Sequence, residues 1–239
     1  PFSMAPLPDL DTPLDQADLG SIRAMITPDL GSAAMSNAYR SIFAERTALF
    51  QHHFAAAIDA SPDFTDGDNC FEVLRGVNFV AAHGARVRDH RDRLSPNVVD
   101  NVDRGLAYSL ADVAEAHLQQ SRIARAWLDL FEDIDVVICP AASSTPFPHD
   151  QWSVSEIDGT AMETYMRWLG ITYLPTMALA CGVALPCGLD QAGMPFGIQV
   201  LSAPGNDRLV AEVAKALETV LQGHDTTRRP LPDLGNLMG

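Results

Sequence analysis

Lysine is almost missing from this 239-residue sequence, in which Lys215 is the only one. Lysine and arginine together number 16 against 31 aspartates and glutamates, which leaves a net charge of -15 at pH 7. Nucleic acids and anionic membrane surfaces bind proteins through clustered basic residues, so a strongly acidic chain is repelled by them. The composition argues against nucleic acid and membrane as partners, and it is compatible with a neutral small-molecule substrate.

Long apolar runs are missing as well. The longest, over 174–189, is interrupted by Pro175, Gly182 and Pro186, which makes it unsuited to a transmembrane helix. The first 19 residues are acidic and rich in proline, unlike a secretory signal peptide. No two of the four cysteines have the CxxC spacing of a zinc site, so buried thiols in a reducing compartment are expected. We therefore expect a cytoplasmic protein with no metal and no cofactor.

Familiar catalytic signatures are the third absence. The sequence has no GxSxG elbow, no HExxH pair, no EF-hand loop and no phosphate-binding glycine loop. Lys215 lies in an amphipathic helical pattern, where an exposed position is expected. Ser143 and Ser144 follow a predicted strand, but no glycine flanks them to bring backbone amides close to an oxyanion. No catalytic residue is assigned in this chain, although a serine hydrolase using one of the seven histidines stays open as a hypothesis.

Hydrophobic periodicity divides the chain into a mainly helical first half and a second half richer in strands. The distribution of proline predicts an extended connector over 1–19, a folded region over 20–223 and an irregular, mobile tail over 224–239. Strands are predicted over 22–27, 134–140 and 196–201. Helices are predicted from Ser36 or Asn37 to just before Pro62, over 71–85, from Ser95-Pro96 onward, over 109–131, at about 159–169 and over 207–221. This alternation predicts an α/β protein.

Two segments carry a family resemblance. The run IDVVICPAASSTPFP over 134–148 is a strand that ends in a proline before a loop, and the segment 172–218 contains Pro186-Cys187-Gly188 followed by GMPFGIQ over 193–199. In order and spacing these segments resemble the amidase-signature family. The helices before residue 134 and the strand-turn-helix over 17–50 are similar to it too. The resemblance begins after the family's catalytic core, so the core's Ser, bridging Ser and Lys have no matching positions here.

The resemblance implies an α/β fold in which helices surround a mixed sheet, with this chain as its C-terminal part. It implies an amidase that hydrolyses a carboxamide C–N bond through a Ser nucleophile located outside this chain, in a missing N-terminal segment. The part present would line the substrate pocket, with Trp168, Thr172, Thr176 and Cys181 as candidate substrate-binding residues. Alone it should be inactive, and its exposed sheet edge should bind the missing segment or a second copy of the chain.

Three places depart from the residues usual in that family. Thr176 stands where the family often has asparagine, Leu179 where it often has glycine, and Cys181-Gly182 where it often has Pro-Ala. Bulkier residues near the pocket change which acyl or amine group fits, so the substrate stays undefined. The alternative function is a non-catalytic binding or scaffold module that kept the family's C-terminal fold.

Overall fold

The computed structural model describes residues 12–231, which are built around a five-stranded mixed sheet. The strands of the chain are β1 (Arg23–Ile26), β2 (Ala56–Asp59), β3 (Val136–Pro140), β4 (Glu156–Ile157), β5 (Thr160–Ala161), β6 (Cys181–Leu189) and β7 (Pro195–Ser202). The sheet has the order β2-β1-β3-β7-β6, and β4 and β5 form a separate hairpin. β1 is parallel to β2 and β3, whereas β7 is antiparallel to β3 and β6. The predicted mixed sheet is confirmed.

Helices cover both faces of the sheet. Those of the described residues are α1 (Asn37–Phe50), α2 (Gly67–His90), α3 (Pro96–Ala107), α4 (Leu110–Leu130), α5 (Gly170–Met177) and α6 (Asp207–Gln222). Phe196 and Gln199 are three residues apart on β7, so they point to opposite faces. Tyr39 of α1 packs edge-on against Phe196, and Gln199 donates a hydrogen bond of 2.8 Å to the carbonyl of Ile171 in α5. The α/β fold class is therefore confirmed, with α1 and α5 on opposite faces.

The central strand β3 is buried along its whole length, as its β-branched sequence predicts. Asp135, the residue before it, accepts hydrogen bonds from the backbone amide of Arg23 at 2.7 Å and from its Nη2 at 3.0 Å. The Arg23 guanidinium thereby lowers the pKa of Asp135 below its ordinary value. This ion pair holds the starts of β1 and β3 side by side.

The first predicted helix is shorter than expected. It was predicted to continue to just before Pro62, but α1 ends at Phe50 and is followed by a 3-10 turn at Gln51–His53. The chain then enters β2, and the amide of Ala55 donates to the carbonyl of Ile22 at 2.9 Å. Pairing with β1 outweighs the helix propensity of the alanines at 55–57. The prediction was wrong here because strand pairing is a tertiary contact.

A second predicted helix, at about 159–169, is also wrong. Asp158 and Gly159 both have positive φ, 47° and 83°, and they connect β4 to β5 in a tight hairpin. An Asp-Gly pair is the usual two-residue turn of this kind, a signal that the helical prediction overlooked. The helix of this region is α5, which begins only at Gly170 and extends into the apolar stretch that starts at residue 174.

The other predicted helices are present. α2 extends beyond the predicted 71–85 at both ends, α3 begins at Pro96, and α6 begins at Asp207 as predicted. α4 begins with a capping box in which the Ser109 hydroxyl accepts the Asp112 amide and the Asp112 carboxylate accepts the Ser109 amide. All four cysteines are free thiols, and Cys181 alone is only partly buried. Among residues 12–231 no helix is long and apolar enough to cross a membrane.

Residues 1–11 and 232–239 lie outside the described residues, and with them the outer parts of the predicted connector and tail. Residues 12–18 run along α6, where Lys215 Nζ donates to the carbonyl of Leu14. In the tail, Thr227 is fully buried and its Oγ1 donates to the carbonyl of Leu221 at 2.7 Å. The start of the tail thus lies against the end of α6, and the mobility of the tail stays a prediction.

Leu179 follows α5 in an unfavourable backbone conformation. Its φ of 56° is left-handed, which costs a residue with a Cβ about 1–2 kcal/mol, and glycine is the usual residue at this point of a helix end. Its side chain is 73% exposed, so little packing is lost on removal. We expect Leu179→Gly to raise the free energy of unfolding by about 1 kcal/mol in urea denaturation.

The neighbouring Ala178 has φ of -96° and supplies the control. Ala178→Gly relieves no strain and adds freedom to the unfolded chain, so it should lower the free energy of unfolding by about 0.5–1 kcal/mol. If both substitutions destabilise the protein equally, strain at Leu179 is not the cause.

Candidate functional site

The loop 141–148 continues from the carboxyl end of β3, where α/β proteins commonly bind ligands. Ser143 is 1% exposed, and its carbonyl accepts the amide of Ser36, the N-cap of α1, at 2.9 Å. The hydroxyl of Ser143 has no hydrogen-bond partner among the described residues, and that of Ser144 makes only a 3.4 Å contact with the carbonyl of Thr145. Neither serine is therefore paired with a base.

A cavity of about 340 Å³ opens between this loop, the start of α1 and the β6–β7 turn, and we call it the loop cavity. It is lined by Ser36, Ala38, Tyr39, Ile42, Ser144, Thr145, Asp158, Asp190, Gln191 and Ala192. Asp190 accepts hydrogen bonds from Thr145 Oγ1 at 2.7 Å and from the amides of Ala192 and Met194 at 2.8 and 2.9 Å. Burial opposes ionisation of Asp190, but these bonds outweigh it and lower the pKa of the carboxyl group.

Tyr39 adds a protonated hydroxyl to the loop cavity. Burial, followed by the charge of Asp190, raises the pKa of Tyr39 to about 12, so the phenol stays neutral at physiological pH. Its hydroxyl lies 3.5 Å from Asp190 Oδ2. The loop cavity can therefore hold a polar ligand by hydrogen bonds, but it contains no nucleophile activated by a base.

Three of the four predicted substrate-binding residues lie together. Trp168 lies in the 3-10 turn Arg167–Leu169 that leads into α5. Thr172 and Thr176 follow it at intervals of four residues on α5, and both threonines are exposed. Trp168 is partly buried and meets Phe147 of the loop 141–148 edge-on, with ring centroids 5.3 Å apart. We call Phe147, Trp168, Thr172 and Thr176 the Trp168 surface. Sequence reasoning did not single out Phe147, although it lies in the quoted segment 134–148.

The fourth predicted residue, Cys181, lies apart from the Trp168 surface. Its thiol donates to the carbonyl of Ala203 at 3.1 Å. The thiol also interacts electrostatically with the carboxylate of Asp207, at the start of α6. Burial is the main cause that raises the pKa of the thiol, and the charge of Asp207 raises it further. The structure therefore places Cys181 beside α6, whereas α5 lies on the opposite face of the sheet.

The Trp168 surface is held in place from behind. Tyr173, on the buried side of α5, stacks on Phe71 of α2 with centroids 4.0 Å apart, and its hydroxyl donates to Asp68. Arg167 lies 3.2 Å from the same carboxylate. Gln199 Nε2 bonds both the Ile171 carbonyl and, at 3.2 Å, the Pro140 carbonyl, which joins α5 to the end of β3. These contacts fix α5 relative to the loop 141–148.

The residues considered for catalysis, which are Lys215, Ser143, Ser144 and the seven histidines, are not hydrogen-bonded into a catalytic set within the described residues. Lys215 is exposed on α6 and its amine is bonded to the Leu14 carbonyl, as its predicted surface position suggested. No hydrogen bond joins Lys215 to a serine, or any of the seven histidine rings to a serine or carboxylate, within residues 12–231. The same residues contain no cluster of side chains able to hold a metal ion.

The chain is similar in sequence to known amidases and amide hydrolases. Residues 76–211 match the family model described as Amidase. An acylamidase of Rhodococcus erythropolis is 22% identical over 210 residues, which cover 86% of this chain and 43% of that protein. A fatty acid amide hydrolase of Medicago truncatula is 26% identical over 128 residues, which cover 52% of this chain and 20% of that protein.

Solved structures show the same fold. The crystal structure of an amidase superposes on this chain with a TM-score of 0.75 at 19% identity. The match covers 87% of this chain and 47% of the amidase chain. A bacterial aryl acylamidase of the amidase-signature enzymes gives 0.73 at 16% identity, with 90% and 47% covered. The chain thus matches less than half the length of each of these relatives.

Proposed function

Because the chain belongs to the amidase family, we propose that it is the C-terminal part of an amidase whose Ser nucleophile lies outside it. One observation carries the proposal: the chain aligns over most of its own length with under half of much longer relatives. Amide hydrolysis by serine requires a nucleophile, a base and oxyanion donors in one place. The described residues contain no such set, so the catalytic group is assigned to the remaining part of the enzyme.

The Trp168 surface is the wall proposed to contact the substrate. It combines two aromatic rings with two threonines at an open face, which suits a small uncharged amide better than an ion. Both threonine hydroxyls already donate to backbone carbonyls, that of Leu169 at 2.8 Å and that of Tyr173 at 2.6 Å, so they are left as acceptors. Cys181, on the other face, stays a prediction from the sequence.

The proposed partner of this chain is the missing N-terminal segment. β6 is an edge strand that follows directly on α5, and its residues Gly182 and Ala184 are exposed together with Leu179. An edge strand with small exposed residues is a surface that another strand or helix can cover. We propose that the N-terminal segment covers it and encloses the Trp168 surface, while self-association and a cytoplasmic location stay predictions.

Removing the Trp168 ring tests this assignment. In the assembled amidase we expect Trp168→Ala to raise KM for a small amide about ten-fold, because one aromatic contact is worth roughly 1–2 kcal/mol of binding. The turnover number should change by less than about three-fold, since the ring contacts ground state and transition state alike. Steady-state kinetics on the protein that includes the upstream segment measure both.

Trp152 is the matched control, because it is a second tryptophan and is 75% exposed. Trp152→Ala should leave KM and the turnover number unchanged. The assignment is wrong if Trp168→Ala leaves KM unchanged while the enzyme stays folded, or if both substitutions raise KM equally.

The alternative, a non-catalytic binding module, is favoured by one feature. The residues that line the loop cavity, with Asp190 and Tyr39 among them, all belong to this chain. A chain that occurs alone and binds carboxamides without turnover would fit that reading.

A further inference from the structure

A cavity of about 810 Å³ is lined by none of the residues of the Trp168 surface. It opens between α1, the end of β6, the end of α6 and the segment that follows it. Its lining is Arg46, Gly188, Leu189, Gln222, Asp225, Thr226, Arg228, Arg229, Pro230 and Leu231. We call it the arginine cavity, since three of these residues are arginines. Its size is within the range of small-molecule sites.

Arg46 is buried beside this cavity with its bonding incomplete. The residue is 8% exposed, and its Nε has no hydrogen-bond partner among the described residues. Its Nη1 is 2.9 Å from Glu45, whose side chain is 64% exposed, and its Nη2 makes a long contact of 3.4 Å with the Leu189 carbonyl. A buried guanidinium needs anionic or strong acceptor partners. One surface carboxylate and one weak bond leave this one under-satisfied.

Arg228 and Arg229 form the other wall, on a segment with a fixed position. Thr227 between Thr226 and Arg228 is fully buried, and a Cβ on Gly188 would lie 2.0 Å from the Thr226 carbonyl, so β6 and this segment are in close contact. Gly188 itself has φ of 82°, which glycine adopts without strain. The two arginines are therefore held at the cavity by the fold.

The carboxylates that pair with these arginines are exposed. Arg228 is 3.2 Å from Asp225, whose side chain is 90% exposed, and Arg229 is 4.0 Å from Glu218. Exposed pairs of this kind contribute little, so an incoming anion can replace them. Asp225 and the carboxyl end of α6 both oppose anion binding, which limits the affinity to be expected.

We propose that the arginine cavity binds a small anionic ligand, a carboxylate or phosphate compound, at a site separate from the amide site. Arginine forks match both groups with paired hydrogen bonds, and three arginines line this cavity in a chain of net charge -15. Arg46 belongs to α1, which lies on the opposite face of the sheet from α5. The anion and the amide substrate therefore reach the protein from different sides.

Calorimetric titration of the full chain with inorganic phosphate, at constant ionic strength in chloride, tests the proposal. We expect saturable binding with a dissociation constant on the order of 1 mM, and weakening of at least about ten-fold in the double variant Arg228→Gln/Arg229→Gln. Both arginines are surface residues, so the variant should fold, which circular dichroism verifies. Acetate titrated in parallel identifies the preferred group: tighter phosphate binding indicates a phosphate ligand, and equal or tighter acetate binding a carboxylate.

Arg86 and Arg88, exposed on α2, supply the control pair. Arg86→Gln/Arg88→Gln removes the same charge and should leave phosphate binding unchanged. The proposal is overturned if neither anion binds saturably below about 50 mM, or if both double variants weaken binding equally, which would indicate a nonspecific charge effect.

Discussion

Purified alone, the 239-residue chain is expected to hydrolyse anilides and primary carboxamides no faster than buffer does. Compared with the protein that includes the upstream segment, the loss should be at least about 10⁴-fold in kcat/KM, the scale seen when a catalytic nucleophile is removed. The reason is structural: within residues 12–231 neither Ser143 nor Ser144 is hydrogen-bonded to a base, and the amine of Lys215, on α6, donates to the carbonyl of Leu14. Product release from a panel of amides at high protein concentration measures the rate.

Three substitutions separate true turnover from contamination. Ser143→Ala, Ser144→Ala and Lys215→Ala should each leave any background rate unchanged. Hydrolysis by the chain alone that one of these variants abolishes would contradict the assignment of the nucleophile to another segment. Loss of such activity on substitution of a histidine would instead support the hypothesis of an independent serine hydrolase.

Gly105→Ala is expected to cause the largest loss of stability. A Cβ at Gly105 of α3 would lie 2.3 Å from the carbonyl oxygen of Gly76 in α2, a distance at which the two helix backbones must separate. Overpacking of a rigid contact costs about 1–3 kcal/mol and occasionally more. Because the obstacle is backbone that no rotamer change can move, we expect a loss of about 3 kcal/mol in the free energy of unfolding, measured in urea.

Gly84 on α2 is the matched control for Gly105. A Cβ there meets only Val80 Cγ1, at an ordinary 3.7 Å. Gly84→Ala should therefore gain the helix propensity of alanine and raise the free energy of unfolding by about 0.5–1 kcal/mol. If Gly105→Ala lowers the free energy of unfolding and Gly84→Ala raises it, the close contact between the backbones of α2 and α3 is supported. If both substitutions change the free energy of unfolding in the same direction, α2 and α3 are not in such close contact.

The close contact between α2 and α3 at Gly105 is linked to the proposed substrate site through α2. This helix supplies Asp68 and Phe71, which hold Tyr173 and thus the buried side of α5. A protein loosened at Gly105 should lose order in the Trp168 surface as well. The stability of the helical layer and the shape of the proposed substrate wall are therefore linked.

Local signals predicted much of the fold. The β-branched run before Pro140, the capping box at Ser109 and the single apolar face of α6 are each decided by neighbouring residues, and all three elements were predicted correctly. The end of α1 was not, because β2 forms only by pairing with β1, a contact that short-range periodicity does not contain. The Asp158-Gly159 hairpin was missed although its turn signal is local.

The candidate site was predictable only in part. Spacing by four brought Trp168, Thr172 and Thr176 together, whereas Cys181 lies on the next element with its thiol toward α6. The Asp190 and Tyr39 contact, between residues 151 positions apart, depends on how the β6–β7 turn folds over α1. Such long-range contacts follow from tertiary structure, for which one sequence contains no direct signal.

The mass of the natural polypeptide tests the central claim most directly. Denaturing mass spectrometry of the protein purified from its source measures it together with any chain that copurifies. If this chain is the C-terminal part of an amidase, the mass should be about twice 25.8 kDa, in keeping with the length of the relatives it matches. A polypeptide of 25.8 kDa without a second chain would contradict the claim and indicate a self-contained binding module.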